Sequence, residues 1–361
     1  MKIAVYTIAK NEEQFVTRWY ESAKQADYLL IADTGSTDRT VEIAKELGIN
    51  VIEIKVDPWR FDTARNLALD ALPDDIDWCI ALDMDEVLAE GWLTDFCQEV
   101  WDEASFTRIR YLYTWSWKED GKPDLQYGGD KIHKRHGYRW KHPVHEVLVC
   151  EGEEIQHWIQ WFRINHHPDN TKSRASYFPL LKMAVEEDPD DDRNAFYYAR
   201  ELYFHGYLEE AKAEFLRHLS LPRAVWKAER AASYRFLAKC EPYQTEYWLL
   251  CAIQEDPSRR EAYVELAQYY YEKQDWVNCL VYCDKAVDIQ DKPLDYLCEE
   301  FAWCALPYDM ASIACHNLGL KTAGGMYLSY ALLHDPDNKR LLENRKFFNV
   351  LPQWMSDPGP C

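Results

Sequence analysis

The sequence predicts two successive folds: an α/β domain on a parallel sheet over residues 1–170, then an all-helical repeat domain over 171–361. Three observations predict this. Strand and helix periodicities alternate from the start, helical periodicity alone fills the second half, and prolines recur there at nearly even intervals. Residues 2–9, 28–33, 50–56 and 78–83 read as strands, and 12–25, 38–47 and 61–72 as the helices between them. Such alternation implies βαβ crossovers and a parallel sheet, with every strand ending on one rim. Alternating, aromatic-rich runs at 107–117, 138–149 and 155–165 follow. Asp120-Gly121-Lys122-Pro123 and Gly128-Gly129 read as turns between them, so this stretch is expected to add antiparallel strands.

In the second half, helices are expected to end at Pro189, Pro222, Pro257 and Pro293, spaced by 33, 35 and 36 residues, and at Pro336 after 43 more. Small and aromatic residues recur between them, as in Tyr198-Ala199 with Gly206-Tyr207 and Ala211, or Leu318-Gly319 with Tyr327 and Ala331. A period near 34 with these residue types resembles degenerate tetratricopeptide repeats, about four helical hairpins stacked as a curved solenoid. Its many aromatic residues, among them Tyr197, Tyr203, Tyr247, Trp248, Tyr270 and Trp276, are expected mainly to pack hairpin against hairpin. Some rings are expected on a concave surface, where they would stack on sugars or hold an acceptor.

The chain carries 41 Lys and Arg against 62 Asp and Glu, a formal charge of -21. That balance disfavours nucleic acid and anionic lipid as partners, since both need basic surface. With 47% hydrophobic residues, two packed cores are feasible. The chain opens Met1-Lys2-Ile3-Ala4-Val5-Tyr6 directly into a strand-like run, and no apolar stretch approaches a membrane span, so a soluble, cytoplasmic protein is expected. The 11 cysteines show no Cys-x-x-Cys pair and read as buried thiols of a reducing compartment.

The chemistry concentrates where the apolar run Trp78-Cys79-Ile80-Ala81-Leu82 gives way to Asp83-Met84-Asp85-Glu86. Carboxylates at the carboxyl end of a parallel strand lie where open α/β sheets bind ligands. On a continuing strand Asp83 and Asp85 would share a face and could share a hard divalent cation, Mg²⁺ or Mn²⁺. The bland alternative is a solvated acidic loop.

Four further segments accompany that cluster: Thr7-Ile8-Ala9-Lys10-Asn11-Glu12, Asp33-Thr34-Gly35-Ser36-Thr37-Asp38, Trp59-Arg60-Phe61-Asp62-Thr63-Ala64-Arg65-Asn66 and Trp140-Lys141-His142-Pro143-Val144-His145-Glu146. In this order the five resemble family 2 glycosyltransferases of the GT-A fold, some of which carry C-terminal tetratricopeptide-like repeats. The resemblance implies a metal-dependent enzyme that moves a sugar from a nucleoside diphosphate sugar to a glycan, lipid-linked or protein acceptor, with inversion. It places Thr7, Ala9, Asn11 and Glu12 against the nucleotide and Asp33 on the base, where an acceptor-only carboxylate favours a uridine or guanosine donor, uridine first. Arg65 is placed near the phosphates, Asp83 and Met84 near the ribose, and Asp83, Asp85 and His145 on the metal, with Glu86 behind them. Glu146 is the first candidate for catalytic base and Asp130 the second. His166 and His167 are expected to touch the diphosphate or simply end the domain. Glu146 is followed by Val147, so the Glu-Asp signature usual for the base of inverting members is missing there, and the Gln-x-x-Arg-Trp motif of processive members is absent.

Two other classes remain open on sequence. One is an inactive nucleotide-sugar-binding scaffold whose repeats grip a protein partner, or another copy of the chain. The other is a nucleotidyltransferase, which would show a glycine-rich loop where this chain has Ala9-Lys10-Asn11-Glu12.

Overall fold

The computed structural model describes residues 1–100, 105–169 and 177–348. The chain divides into two compact units, Met1–Asp188 and Pro189–Cys361. The boundary expected at 170/171 lies outside the described residues.

The first unit runs β1 (Ile3–Ala9), α1 (Glu13–Ala23), β2 (Tyr28–Asp33), α2 (Thr40–Glu46), β3 (Asn50–Glu53), α3 (Phe61–Asp70), β4 (Trp78–Ala81), β5 (Glu86–Leu88) and α4 (Trp92–Val100). It continues with β6 (Arg108–Thr114), β7 (Gln126–Lys134), β8 (Tyr138–Lys141), β9 (Val147–Cys150), β10 (Gln156–His166) and α5 (Tyr177–Glu187). Eight strands form one mixed sheet in the order β3-β2-β1-β4-β7-β6-β10-β5, and β8 pairs with β9 as a separate hairpin. Strands β3, β2, β1 and β4 are parallel, the βαβ half that the periodicity predicts. Alternation sends Ile3, Val5, Ile31, Trp78 and Ile80 to one face, under Phe15, Trp19 and Phe96 of α1 and α4. Ala4, Tyr6, Leu30, Ala32, Cys79 and Ala81 face the other way, under α3 and the β8–β9 hairpin. Both faces are covered, so these strands read as continuous apolar runs.

Two expectations need correcting. Gly128 and Gly129 are not a turn but lie inside β7, paired with Leu112 and Tyr111 of β6. A Cβ on Gly129 would lie 2.3 Å from the Tyr111 ring, and one on Gly128 2.8 Å from Trp158 and Arg110, so large cross-strand side chains occupy the space the glycines leave. The added strands are also not all antiparallel, because β10 runs parallel to β6. As β7 is antiparallel to both β4 and β6, strands β6 and β10 point the same way as β4, and all three end on the same rim.

Inside this sheet, His133 of β7 is fully buried. Its Nδ1 lies 2.7 Å from the Lys134 carbonyl and its Nε2 3.1 Å from the Tyr6 hydroxyl, which in turn accepts from Trp140 Nε1 at 2.9 Å. Burial, helped by the Arg108 and Arg135 charges, pushes the imidazole down to about 3. Its neutral form is therefore built into the fold. The unfolded chain takes up this proton near the ordinary histidine value while the native state does not, so stability falls as pH drops below about 6.5. At pH 5 this one group is expected to cost about 2 kcal/mol relative to pH 8. Urea denaturation at the two pH values measures the loss, and His133→Gln should reduce it; an unchanged pH dependence in that variant would assign the acid lability elsewhere.

The second unit comprises α6 (Asp192–Phe204), α7 (Leu208–Ser220), α8 (Lys227–Cys240), α9 (Thr245–Glu255), α10 (Arg260–Glu272), α11 (Trp276–Asp288), α12 (Leu306–Asn317), α13 (Lys321–His334) and α14 (Lys339–Asn344). Each packs on the next, and α6 also meets α8 as α10 meets α12, the neighbour pattern of stacked hairpins. This is the tetratricopeptide-like arrangement expected. Pro189, Pro222, Pro257, Pro293 and Pro336 all follow a helix end. Gly206, Gln274 and Gly319 take positive φ at three hairpin turns, closing the preceding helix through Tyr207, Asp275 and Leu320 amides. Trp248, Tyr263, Tyr269, Tyr270, Tyr271 and Trp276 pack in one helical core, whereas Tyr243 is fully exposed and Tyr247 about half. No helix among the described residues is long and apolar enough to cross a membrane.

Candidate active site

The rim where β1, β2, β4, β6 and β10 end gathers most of the residues singled out by sequence. At β1, Asn11 takes a positive φ of 56°. Its Oδ1 accepts from Thr37 N at 2.7 Å, and its own amide donates to Ser36 Oγ at 2.9 Å. The Glu12 amide donates to Thr40 Oγ1 at 2.7 Å, and the Ala9 carbonyl accepts from Thr34 N at 2.9 Å. Thr7 is buried within β1. The β1 and β2 turns are thereby laced together. Asp33 is buried, and its carboxylate accepts from the Gly35 and Ser36 amides, each at 3.0 Å, and from Ser36 Oγ. Gly35, at φ 104°, supplies the backbone that this tight turn requires.

Strand β4 stops at Ala81, and residues 83–86 form a turn closed by Glu86 N donating to the Asp83 carbonyl at 2.9 Å. This overturns the expectation of a continuing strand with Asp83 and Asp85 on one face. The turn sends them to different partners. Asp83 meets two cations, Arg65 Nη2 and Lys131 Nζ, both at 2.7 Å. Lys131 also reaches Glu86 at 2.7 Å, and Glu86 accepts from Tyr113 Oη at 2.7 Å and from the Asp83 amide at 2.8 Å. Burial opposes the Asp83 charge, but Arg65 and Lys131 outweigh it and hold the carboxyl below the usual range. For Glu86, burial and the adjacent Asp83 charge win, and the carboxyl is raised. Lys131 is held well above its ordinary value, burial being outweighed by those two carboxylates.

Asp85 turns toward β10, where His166 Nε2 lies 3.3 Å from its Oδ2. The His166 ring is fixed on its other side, with Nδ1 3.0 Å from the Trp115 carbonyl and Trp115 stacked on it at 4.4 Å. The Asp85 carbonyl accepts from the His167 amide at 2.8 Å. Burial opposes His166 protonation, yet the Asp85 carboxylate and the Trp115 carbonyl raise it above the histidine norm.

Arg65 comes from α3, buried with its guanidinium 4.9 Å above the Trp140 ring. Nε pairs with Glu146 and Nη2 with Asp83, while Nη1 is buried without a hydrogen-bond partner. The structure thus brings Asp83, Glu86 and Glu146 into one charge cluster around Arg65 and Lys131. Asp130 is half exposed and lies 3.4 Å from Arg108, outside that cluster. His145 packs edge-on against Tyr177 at 5.7 Å. Asp83, Asp85 and His145 do not converge; among the described residues, the one trio of metal-ligating atoms within 4.8 Å is Asp192, His218 and Glu229 in the helical unit. Met84, within the turn, is buried in the core of the first unit.

Sequence reasoning passed over Lys131 and Tyr113 and gave His166 no definite role. Lys131 follows the glycine pair read as a turn, so its strand was not recognised. The joining of His166 to Asp85 depends on β10 running parallel to β4, which no local pattern reveals.

A family model, glycosyl transferase family 2, matches residues 4–149, the span from β1 into the β8–β9 hairpin. Over that span the chain is similar to family 2 glycosyl transferases. The chain's curated relatives include an uncharacterized glycosyltransferase of Rickettsia typhi, 36% identical over 112 residues, covering 31% of this chain and 36% of that one. A TPR repeat-containing protein of Synechococcus elongatus is 36% identical over 95 residues, 25% of this chain and 22% of its own. The chain thus spans about a third or less of the length of these relatives. Among solved structures, glucosyl-3-phosphoglycerate synthase from Mycobacterium tuberculosis, in complex with Mn²⁺, UDP and glucosyl-3-phosphoglycerate, aligns at 22% identity over 31% of this chain and 44% of that one, TM-score 0.26. MamA aligns at 15% identity over 45% of this chain and 89% of that one, TM-score 0.36.

Proposed function

We propose that the chain transfers a sugar from a nucleoside diphosphate sugar, with a uridine nucleotide favoured, in a reaction that depends on a divalent metal. The observation that carries this reading is the Asp85–His166 pair on the rim of the unit similar to family 2 transferases. Histidines that bind metals through one ring nitrogen commonly donate the other N–H to a backbone carbonyl, as His166 Nδ1 does to Trp115. That leaves Nε2 beside a carboxylate oxygen, a nitrogen and oxygen set suited to Mn²⁺. The proposed ligands are therefore Asp85 and His166, in place of the expected set with His145. Asp83, with both oxygens on cations, is assigned to positioning the donor. Bound there, the metal would offset negative charge on the departing diphosphate. The partnerless Nη1 of Arg65, buried beside Asp83, suits a phosphate oxygen, the role the resemblance gave this residue. Of the two base candidates, Glu146 lies in the cluster and Asp130 outside it, which favours Glu146. Inversion is part of this proposal, as is a cytoplasmic site of action. The exposed rings of Tyr243 and Tyr247 support a glycan or protein acceptor on the helical unit.

Nucleotide choice tests the Asp33 assignment, since its carboxylate can accept from the ring N–H of uracil or guanine while adenine presents none. Titration calorimetry with Mn²⁺ should show UDP binding about tenfold or more tighter than ADP, the worth of one charged hydrogen bond. Tighter binding of ADP would remove Asp33 from the base pocket. Metal-dependent hydrolysis of a UDP-sugar separates the enzyme from an inactive scaffold.

A further inference from the structure

The helical unit holds a second cluster with the makings of a metal site. Asp192 is the first residue of α6, His218 lies in the last turn of α7, and Glu229 in the first turn of α8. Because successive helices in a hairpin stack run in opposite directions, the start of α6, the end of α7 and the start of α8 fall at one end of the stack. One potential ligand atom from each residue lies within 4.8 Å of the others.

The histidine makes this more than a chance meeting of carboxylates. His218 is completely buried, its Nδ1 lies 2.8 Å from Ser233 Oγ, and its Nε2 has no hydrogen-bond partner. With Nδ1–H given to Ser233, Nε2 carries a lone pair enclosed beside two carboxyl groups, none of which can donate to it when ionised. Glu229 is buried and is oriented by the Tyr296 hydroxyl, which donates to its Oε1. Both His218 and Glu229 are thus held by neighbours that leave ligand atoms facing the cluster, the outer arrangement typical of metal ligands. A dication would give Nε2 its missing partner and offset the repulsion between the carboxylates.

We propose that Asp192, His218 and Glu229 bind a divalent transition cation, Zn²⁺ being the best match to one imidazole and two carboxylates, and that it clamps α6, α7 and α8 together. The site is independent of the transferase reading, since it shares no residue with the rim.

The test uses full-length protein stripped with chelator and dialysed against Zn²⁺, with bound metal counted by mass spectrometry. Expected is one Zn²⁺ per chain that Asp85→Ala retains, and a rise in melting temperature on loading. Asp192→Asn and Glu229→Gln should each weaken Zn²⁺ binding by about tenfold or more and abolish the thermal shift. Co²⁺ substitution reads the same site through visible absorption bands that these two variants lose. Circular dichroism checks that each variant folds, and if Glu229→Gln does not, the partly exposed Asp192→Asn carries the test. Wild-type protein that retains no Zn²⁺, or equal occupancy in wild type and Asp192→Asn, overturns the proposal.

Discussion

Asp85→Ala is expected to lower metal-dependent donor turnover by about a hundredfold to a thousandfold while leaving the melting temperature almost unchanged. The two halves of that expectation have separate causes. The Asp85 side chain is about one-third exposed and pairs with His166, which gives up its proton once the carboxylate is gone, so truncation strands no buried charge. If Asp85 holds the metal, its loss removes what offsets charge on the leaving diphosphate. His166→Ala should weaken Mn²⁺ binding in the presence of UDP by about tenfold to a hundredfold, whereas His145→Ala should change it little. Measuring Mn²⁺ activation curves for the three variants decides which histidine serves the metal. Full turnover by Asp85→Ala, or by wild type in excess chelator, would refute metal dependence at this turn.

Arg65→Ala should be the most destabilising single change in the first unit, costing about 3–5 kcal/mol. Arg65 is buried between two carboxylates, and its removal leaves Glu146 without its ion-pair partner and Asp83 with Lys131 alone. It also takes away the cation stacked on Trp140. A lysine is a point charge and cannot span both carboxylates through a fork, so Arg65→Lys should recover only part of the loss. Chemical denaturation reports the stability, and UDP titration of whatever remains folded reports the contribution of Nη1. A denaturation midpoint for Arg65→Ala equal to wild type would show that the cluster contributes nothing to the fold.

Much of the site was legible because parallel strands announce themselves. Strands buried on both faces must be apolar throughout, so Leu82 followed by Asp83 marks the place where the strand meets solvent and ligand. The same logic located Asn11 and Asp33, each just past an apolar run. Arg65 and Glu146 were recognisable only through the family resemblance, since one sits mid-helix and the other in a hairpin loop. Lys131 and the pairing of His166 with Asp85 escaped both kinds of reading. The helical half was legible through its punctuation, because a proline cannot continue a helix and a positive φ favours glycine.

By itself the sequence determined the local elements, the division into a sheet-based and a helical half, and the cluster of carboxylates on one rim. These follow from side-chain alternation, helix periodicity and turn chemistry, all of which act over a few residues. Only the tertiary structure decided which partners those carboxylates meet. Whether β7 is a strand depends on Tyr111 and Trp158 filling the space beside Gly128 and Gly129. Whether His166 or His145 stands by Asp85 depends on the order and direction of strands far apart in sequence. Contacts of that kind are set by how sheets close and cores fill, and the residues concerned carry no local mark of them.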